Sequence, residues 1–107
     1  MTLYILITGA NQGLGHCVAQ QLLVQGRNLH VYAACRSLDK AEKNMKSLST
    51  TPAAHSSNKL EVIVIDLIDD TSIQKAAQSI SHLDILVNNA GIYCEYNIFR
   101  RIKIPVF

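Results

Sequence analysis

Apolar residues along this chain follow two alternating spacings. Four short runs, Leu3 to Thr8, His30 to Cys35, Leu60 to Ile65 and Leu83 to Val87, are dense in aliphatic, β-branched and aromatic side chains, the composition of strands. Between them apolar positions recur every three to four residues, the helical period. From about Gly13 to Gln25, Leu14, Val18, Leu22, Ala19 and Leu23 share one stripe, and Gly26 stands where a helix-ending glycine belongs. Leu38, Ala41, Met45 and Leu48 repeat the pattern, with lysines and Glu42 forming a solvated face. Ser49 to Asn58, rich in Ser, Thr, Ala and Pro, reads as a surface loop. The nearly continuous run from Leu60 to Ile65 predicts a strand covered on both faces. Asp69 or Asp70 can then cap a helix whose inward face is Ile73, Ala76, Ala77 and Ile80.

Strands alternating with helices predict βαβ units and a parallel sheet. Right-handed crossovers then give an α/β chain with strand order 3-2-1-4, a doubly wound sheet that stops after its fourth strand. With 107 residues the chain makes one domain at most. Its 49% apolar content and net charge of +2 give no strong pull toward nucleic acid or an anionic membrane. No apolar run approaches the ~20 residues of a membrane span. The first strand begins almost at Met1, leaving no room for a signal peptide, so a soluble, cytoplasmic protein is expected. Cys17, Cys35 and Cys94 are an odd count without Cys-x-x-Cys spacing, and His16, His30, His55 and His82 have no ligand spacing. No metal site is expected, and the cysteines read as small buried or half-buried side chains.

The chemistry begins where the first strand ends, at Thr8-Gly9-Ala10-Asn11-Gln12-Gly13-Leu14-Gly15. A glycine-rich turn entering a helix offers unpaired N–H groups and the positive end of the helix dipole to a phosphate. Gly9 permits the sharp turn, Gly13 a close approach of backbone to pyrophosphate, and Gly15 tight helix packing. The same turn could also be a plain strand-to-helix connection, for which one glycine often suffices. Arg36 follows the second strand, 21 positions after Gly15, where an NAD site usually has an acid for the ribose 2′-hydroxyl. No acid occurs there before Asp39, and Arg36 with Ser37 can bind a 2′-phosphate, unless Arg36 is simply a surface arginine. Asp66-Leu67 follows the third strand, at the carboxyl end that faces the ligand crevice of such sheets. Asp66 can instead cap the turn that follows it.

The glycine spacing, Gly-x-x-x-Gly-x-Gly, and the later Asp84-Ile85-Leu86-Val87-Asn88-Asn89-Ala90-Gly91 come in the right order and at the right distance. Together they resemble the two hallmarks of the short-chain dehydrogenase/reductase family, over Met1 to about Ile92. The resemblance implies an incomplete Rossmann-like NAD(P)-binding domain over residues 1–92 and a divergent tail over 93–107. It implies an NADP-linked oxidoreductase of carbonyl or alcohol groups, with NADP favoured over NAD because of Arg36. Many NADP-type members carry a basic residue at the position of Gln12, which weakens that preference. Residues 8, 9, 11–15, 36, 37, 66, 67 and 88–91 would then hold the cofactor. Asp66 would accept a hydrogen bond from the adenine amino group, Asn88 would stabilise the central sheet, and Asn89 to Gly91 would line the ribose.

Carbonyl reduction in that family uses a serine and a tyrosine followed four residues later by lysine. Tyr4, Tyr32, Tyr93 and Tyr96 have Thr8, Arg36, Asn97 and Arg100 at that distance, so no catalytic residue is assigned. The tail from Tyr93 to Phe107 is short, basic and aromatic, and reads as an unrelated ending on a chain cut short by splicing or an incomplete gene model. The expected partners are NADP(H), a small carbonyl or alcohol if the chain is active, and a second copy at the exposed sheet edge. Nucleic acid and membrane are not expected. A non-catalytic protein that binds nucleotide or a partner is the competing reading.

Overall fold

A computed structural model describes residues 1–90; Gly91, Ile92 and the whole tail from Tyr93 to Phe107 lie outside the described residues. Seven elements follow one another: β1 (Leu3–Ile7), α1 (Gly13–Gln25), β2 (Leu29–Cys35), α2 (Leu38–Ser49), β3 (Lys59–Val64), α3 (Asp70–Ser79) and β4 (Ile85–Val87). The strands form one parallel sheet in the order β3-β2-β1-β4. This is the expected Rossmann-like α/β arrangement, with all four carboxyl ends on the same side of the molecule.

Each sheet face has its own core. On one face Ile5, Ile7, Val31, Ala33 and Cys35 meet Ala19 and Leu23 of α1 and Ala41, Met45 and Leu48 of α2. On the other, Leu6, Tyr32, Ala34 and Ile65 pack with Ala76 of α3. The strand covered on both faces is β2, flanked by β1 and β3, with all its residues buried except the half-buried His30. β3, expected to be so covered, alternates between half-buried and exposed positions. It is the sheet's outer strand, paired with β2 alone among the described residues, and its Leu60 and Val62 pack on one core while Ile63 packs on the other. Position in the sheet thus overrides an apolar sequence.

Three helix details differ from the periodicity. Leu14 sits on the predicted stripe but is 72% exposed, because Gly15, Ala19 and Leu23 form the buried line of α1. Leu38 and Ala77 are likewise exposed, while Ala41 and Ala76 carry the contacts. Gly26 does end α1, but with φ −82° it is extended rather than left-handed. Its glycine is required by space: a Cβ there would meet the Leu29 side chain and, at 2.7 Å, the Leu22 carbonyl. The left-handed position is Asn28, φ 55°, a residue type that tolerates it.

The predicted loop after α2 is tied down rather than loose. Asn58 Nδ2 donates to the carbonyls of Leu23 and Gly26, both at 2.9 Å, and its Oδ1 accepts the Leu29 N–H at 3.0 Å. The His55 N–H also reaches Leu23 O, at 3.0 Å. The last carbonyls of α1, which a helix leaves without intrahelical partners, are thereby satisfied from a distant segment.

Asp84 performs a similar service for β1. Its Oδ2 accepts the Tyr4 N–H at 2.8 Å and its own N–H donates to Tyr4 O at 2.9 Å. Its Oδ1 is 2.8 Å from His82 Nε2. The Tyr4 N–H, outweighing an opposing desolvation and aided by His82, holds the Asp84 carboxyl below its ordinary value. A carboxyl depressed in the folded state contributes stability above its unfolded value, about 3.9, and loses it as pH falls through the folded value. Melting temperature measured from about pH 5 down to about pH 2 is expected to fall more steeply for the native chain than for Asp84→Asn. Parallel curves would show that this carboxylate does not contribute to acid sensitivity.

Candidate functional site

The carboxyl ends of β1, β2 and β4 converge on the glycine turn. Thr8, buried with 1% exposure, is the junction. Its hydroxyl donates to Val87 O at 3.3 Å and accepts the N–H groups of Asn89 and Ala90, each at 3.0 Å. The Thr8 N–H adds a bond to Val87 O at 3.1 Å, and the Ala10 N–H one to Ala34 O of β2 at 2.8 Å. Asn89 Nδ2 then reaches the carbonyls of Thr8 (3.2 Å) and Gly9 (3.3 Å). Among the described residues it is therefore Asn89, and not Asn88, whose side chain ties the strand ends together; Asn88 is exposed.

The three glycines answer three different demands. Gly9 has φ +63°, and a Cβ there would lie 3.0 Å from Ala90 Cα. Gly13, φ +61°, has nothing within 4 Å of where its Cβ would be. It needs glycine for its left-handed backbone, and its open side leaves room for a ligand. Gly15 is crowded: a Cβ would meet the Asn89 side-chain amide and, at 2.5 Å, the Gly9 carbonyl. Its packing is against the turn and the β4 end, a closer neighbour than the sheet face.

α1 begins at this turn without the usual side-chain help. Gln12 is its N-cap, is extended, and makes no capping bond, and the first turn contains no acidic residue. The positive end of the helix dipole therefore faces solvent without a carboxylate from its own first turn. Asn11 is half-buried, while Gln12, Gly13 and Leu14 are exposed around the opening. His16 Nε2 lies 3.1 Å from Asn44 O and links α1 to α2.

The remaining candidates lie at neighbouring strand ends. Arg36 is exposed just beyond β2, and half-buried Ser37 is the N-cap of α2 with its hydroxyl uncommitted to capping. Asp66 and Leu67, both half-buried, follow β3. The Asp66 N–H donates to Ser72 Oγ at 2.9 Å, and Asp66 Oδ1 accepts the Ile68 N–H at 3.2 Å. Asp69 is the cap of α3, accepting from the Thr71 N–H at 3.0 Å, so Asp66 is not needed there. Ser72 escaped the sequence reading, although a serine in the first turn of a helix has the reach to hold the preceding loop.

Two tyrosines, Tyr4 and Tyr32, lie among the described residues. Burial, with Glu61 and Tyr4 beside it, pushes the Tyr32 phenol above 10.0, the opposite of what proton donation near neutral pH requires. Its ring is stacked in a row with His30 (4.5 Å between centroids) and Tyr4 on the sheet face. Burial likewise raises the Cys35 thiol, whereas Cys17 is exposed, contrary to the buried placement expected for it. Among the described residues no cluster of His, Cys, Asp or Glu could hold a metal ion, and no helix is long and apolar enough to cross a membrane.

Comparison with known proteins places this arrangement in a class. The short chain dehydrogenase family pattern matches residues 3–103, and the chain belongs to that family. It is 47% identical over 92 residues to the short-chain dehydrogenase anuI of Penicillium roqueforti, spanning 82% of this chain and 34% of that protein. It is 36% identical over 98 residues to human retinol dehydrogenase 11, spanning 87% and 29%. Among solved structures, Sniffer of Caenorhabditis elegans, described as a carbonyl reductase, superposes with a TM-score of 0.71 at 27% identity, covering 90% of this chain and 40% of that one. The chain thus spans about a third of the length of the curated relatives it matches.

Proposed function

We propose that residues 1–92 are the cofactor-binding part of an NADP-linked oxidoreductase acting on carbonyl or alcohol groups. The observation that carries this reading is the acid-free start of α1, reached through a left-handed, sterically open Gly13. That cradle suits a pyrophosphate, which would lie against Gly9, Asn11, Gln12, Gly13, Leu14 and Gly15. Thr8 and Asn89 support the cradle from behind. Arg36 and Ser37 would meet the 2′-phosphate, Asp66 and Leu67 the adenine, and Asn88 to Gly91 the ribose. When bound, the nicotinamide would supply or accept the hydride, while the residues here bind and orient it. The free thiols of Cys17 and Cys35 fit a reducing compartment such as the cytoplasm.

Two readings of this site differ in a direct assay. One takes the chain as a working reductase; the other takes it as a nucleotide-binding protein without catalysis. Titration of the purified chain with NADPH, followed by the change in nicotinamide fluorescence, is expected to show saturable binding tighter than that of NADH. Absence of binding to either would overturn the proposal. Oxidation of NADPH dependent on a test aldehyde would establish the catalytic reading, and binding without turnover the other.

A further inference from the structure

Asp66 is held at three points, and they are not equivalent. Its carbonyl accepts the Asp69 N–H at 3.0 Å, and its Oδ1 accepts the Ile68 N–H at 3.2 Å. Both bonds lie within the turn 66–69 and move with it. The third leaves the turn: the Asp66 N–H donates to Ser72 Oγ of α3 at 2.9 Å. One residue earlier, the Ile65 N–H ties the chain to Cys35 O at the end of β2, at 2.9 Å. The turn is thus a small closed unit, hinged on β2 and pinned to α3 by one hydroxyl. That hydroxyl does no work for its own helix. Ser72 is the third residue of α3, from which a side chain can reach back to the N-cap N–H. The N-cap N–H, on Asp69, is instead taken by the Asp66 carbonyl, and the Asp69 carboxylate caps the Thr71 N–H. Among the described residues Asp66 engages Oδ1 alone, so Oδ2 keeps its acceptor capacity for a ligand.

We propose that Ser72 is a positioning residue for recognition of the cofactor's base. By holding the Asp66 N–H it aims the remaining carboxylate oxygen at the adenine amino group, and so sets selectivity for adenine over a base that lacks this group. The inference rests on the cofactor reading above, in which Asp66 meets the adenine. Removing the hydroxyl leaves the half-buried Asp66 N–H without its partner, a loss the chain relieves by letting that N–H turn to water. The two bonds inside the turn survive, so the turn moves as a unit about Ile65 and carries Oδ2 away from its aim. Arg36 follows Cys35 on β2, on the other side of the hinge. The contact with the 2′-phosphate is therefore spared, and the effect falls on the base alone.

The test is fluorescence titration of the full 107-residue chain with NADPH and with its reduced hypoxanthine analogue, on the native protein, Ser72→Ala and Ser72→Thr. In the analogue a carbonyl oxygen replaces the amino group, so an acceptor faces the Asp66 carboxylate. The native chain is expected to bind NADPH at least about tenfold tighter than the analogue. Ser72→Ala should bring that ratio below about threefold, chiefly by weakening NADPH. Ser72→Thr keeps a hydroxyl and should keep the native ratio. A native ratio near one overturns the proposal, while saturable NADPH binding leaves the cofactor reading standing; binding of neither ligand by the native chain overturns both. A Ser72→Ala chain that keeps the native ratio, or that binds neither ligand, overturns the proposal, because the hydroxyl then serves folding rather than aim. Loss of the ratio in Ser72→Thr as well would assign the effect to packing and overturn it too.

Discussion

Replacing Arg36 with alanine is expected to weaken NADPH binding by about 10- to 100-fold while leaving NADH within about twofold. The argument is one of placement and charge. Arg36 is exposed at the carboxyl end of β2, adjoining the strand end that receives the Ala10 N–H from the glycine turn. A dinucleotide with its pyrophosphate on α1 puts its adenosine ribose toward that strand. A guanidinium there forms charge-assisted bonds to a phosphate dianion, each worth about 1.5–3 kcal/mol. NADH lacks that phosphate, so the loss should be selective. Arg36→Lys separates two contributions, since lysine keeps the charge and loses the planar fork. An intermediate loss for lysine would show that geometry matters as well as charge. Equal losses for both cofactors would mean that Arg36 acts on something common to them, and the NADP assignment would fail.

Much of this fold was legible because its signals were local and repeated. α1 ends where its periodicity ends, and four apolar runs separated by helices leave few topologies once crossover handedness is imposed. Burial was less legible, because it depends on neighbours that are remote in sequence. β2 and β3 have comparably apolar sequences, yet of the two only β2 lies between neighbouring strands among the described residues. Leu14 looked like core because it shares a stripe with Val18 and Leu22. The helix leans on its small residues, Gly15 and Ala19, and this rotates Leu14 outward.

The site divides in the same way. Glycine spacing revealed where a left-handed backbone was needed, since few other residues adopt it at low cost. The bonds that hold the turn were not visible, because Thr8 and Asn89 lie 81 positions apart. Asn89 does the tying because the chain turns at Asn88, where the Asn89 N–H bonds back to Val87 O, and this brings the Asn89 amide rather than the exposed Asn88 against the glycine turn. Gly26 shows the same limit: its position was readable as a helix end, but the Leu29 side chain that excludes a Cβ was not.

Gly15→Ala is expected to have the largest effect on the folded site, destabilising the chain by about 1–3 kcal/mol and abolishing measurable NADPH binding. Alanine is normally the better helix former, by about 1 kcal/mol over glycine, so propensity alone predicts stabilisation. Contact decides otherwise. The new methyl would meet the Asn89 amide and the Gly9 carbonyl, the latter at 2.5 Å. The carbonyl belongs to backbone held by Asn89 and cannot swing aside as a side-chain tip could. Either α1 shifts off the turn or Asn89 gives up its bonds to Thr8 and Gly9, and both outcomes move the N–H groups that would hold a pyrophosphate. Gly13→Ala is the informative comparison, because it meets nothing within 4 Å and incurs only left-handed strain, about 1–2 kcal/mol. Thermal melts and NADPH titrations of both variants separate the two effects. If Gly15→Ala melts at or above the native temperature and binds NADPH normally, α1 is free to move relative to the turn, and the cradle is not rigidly built.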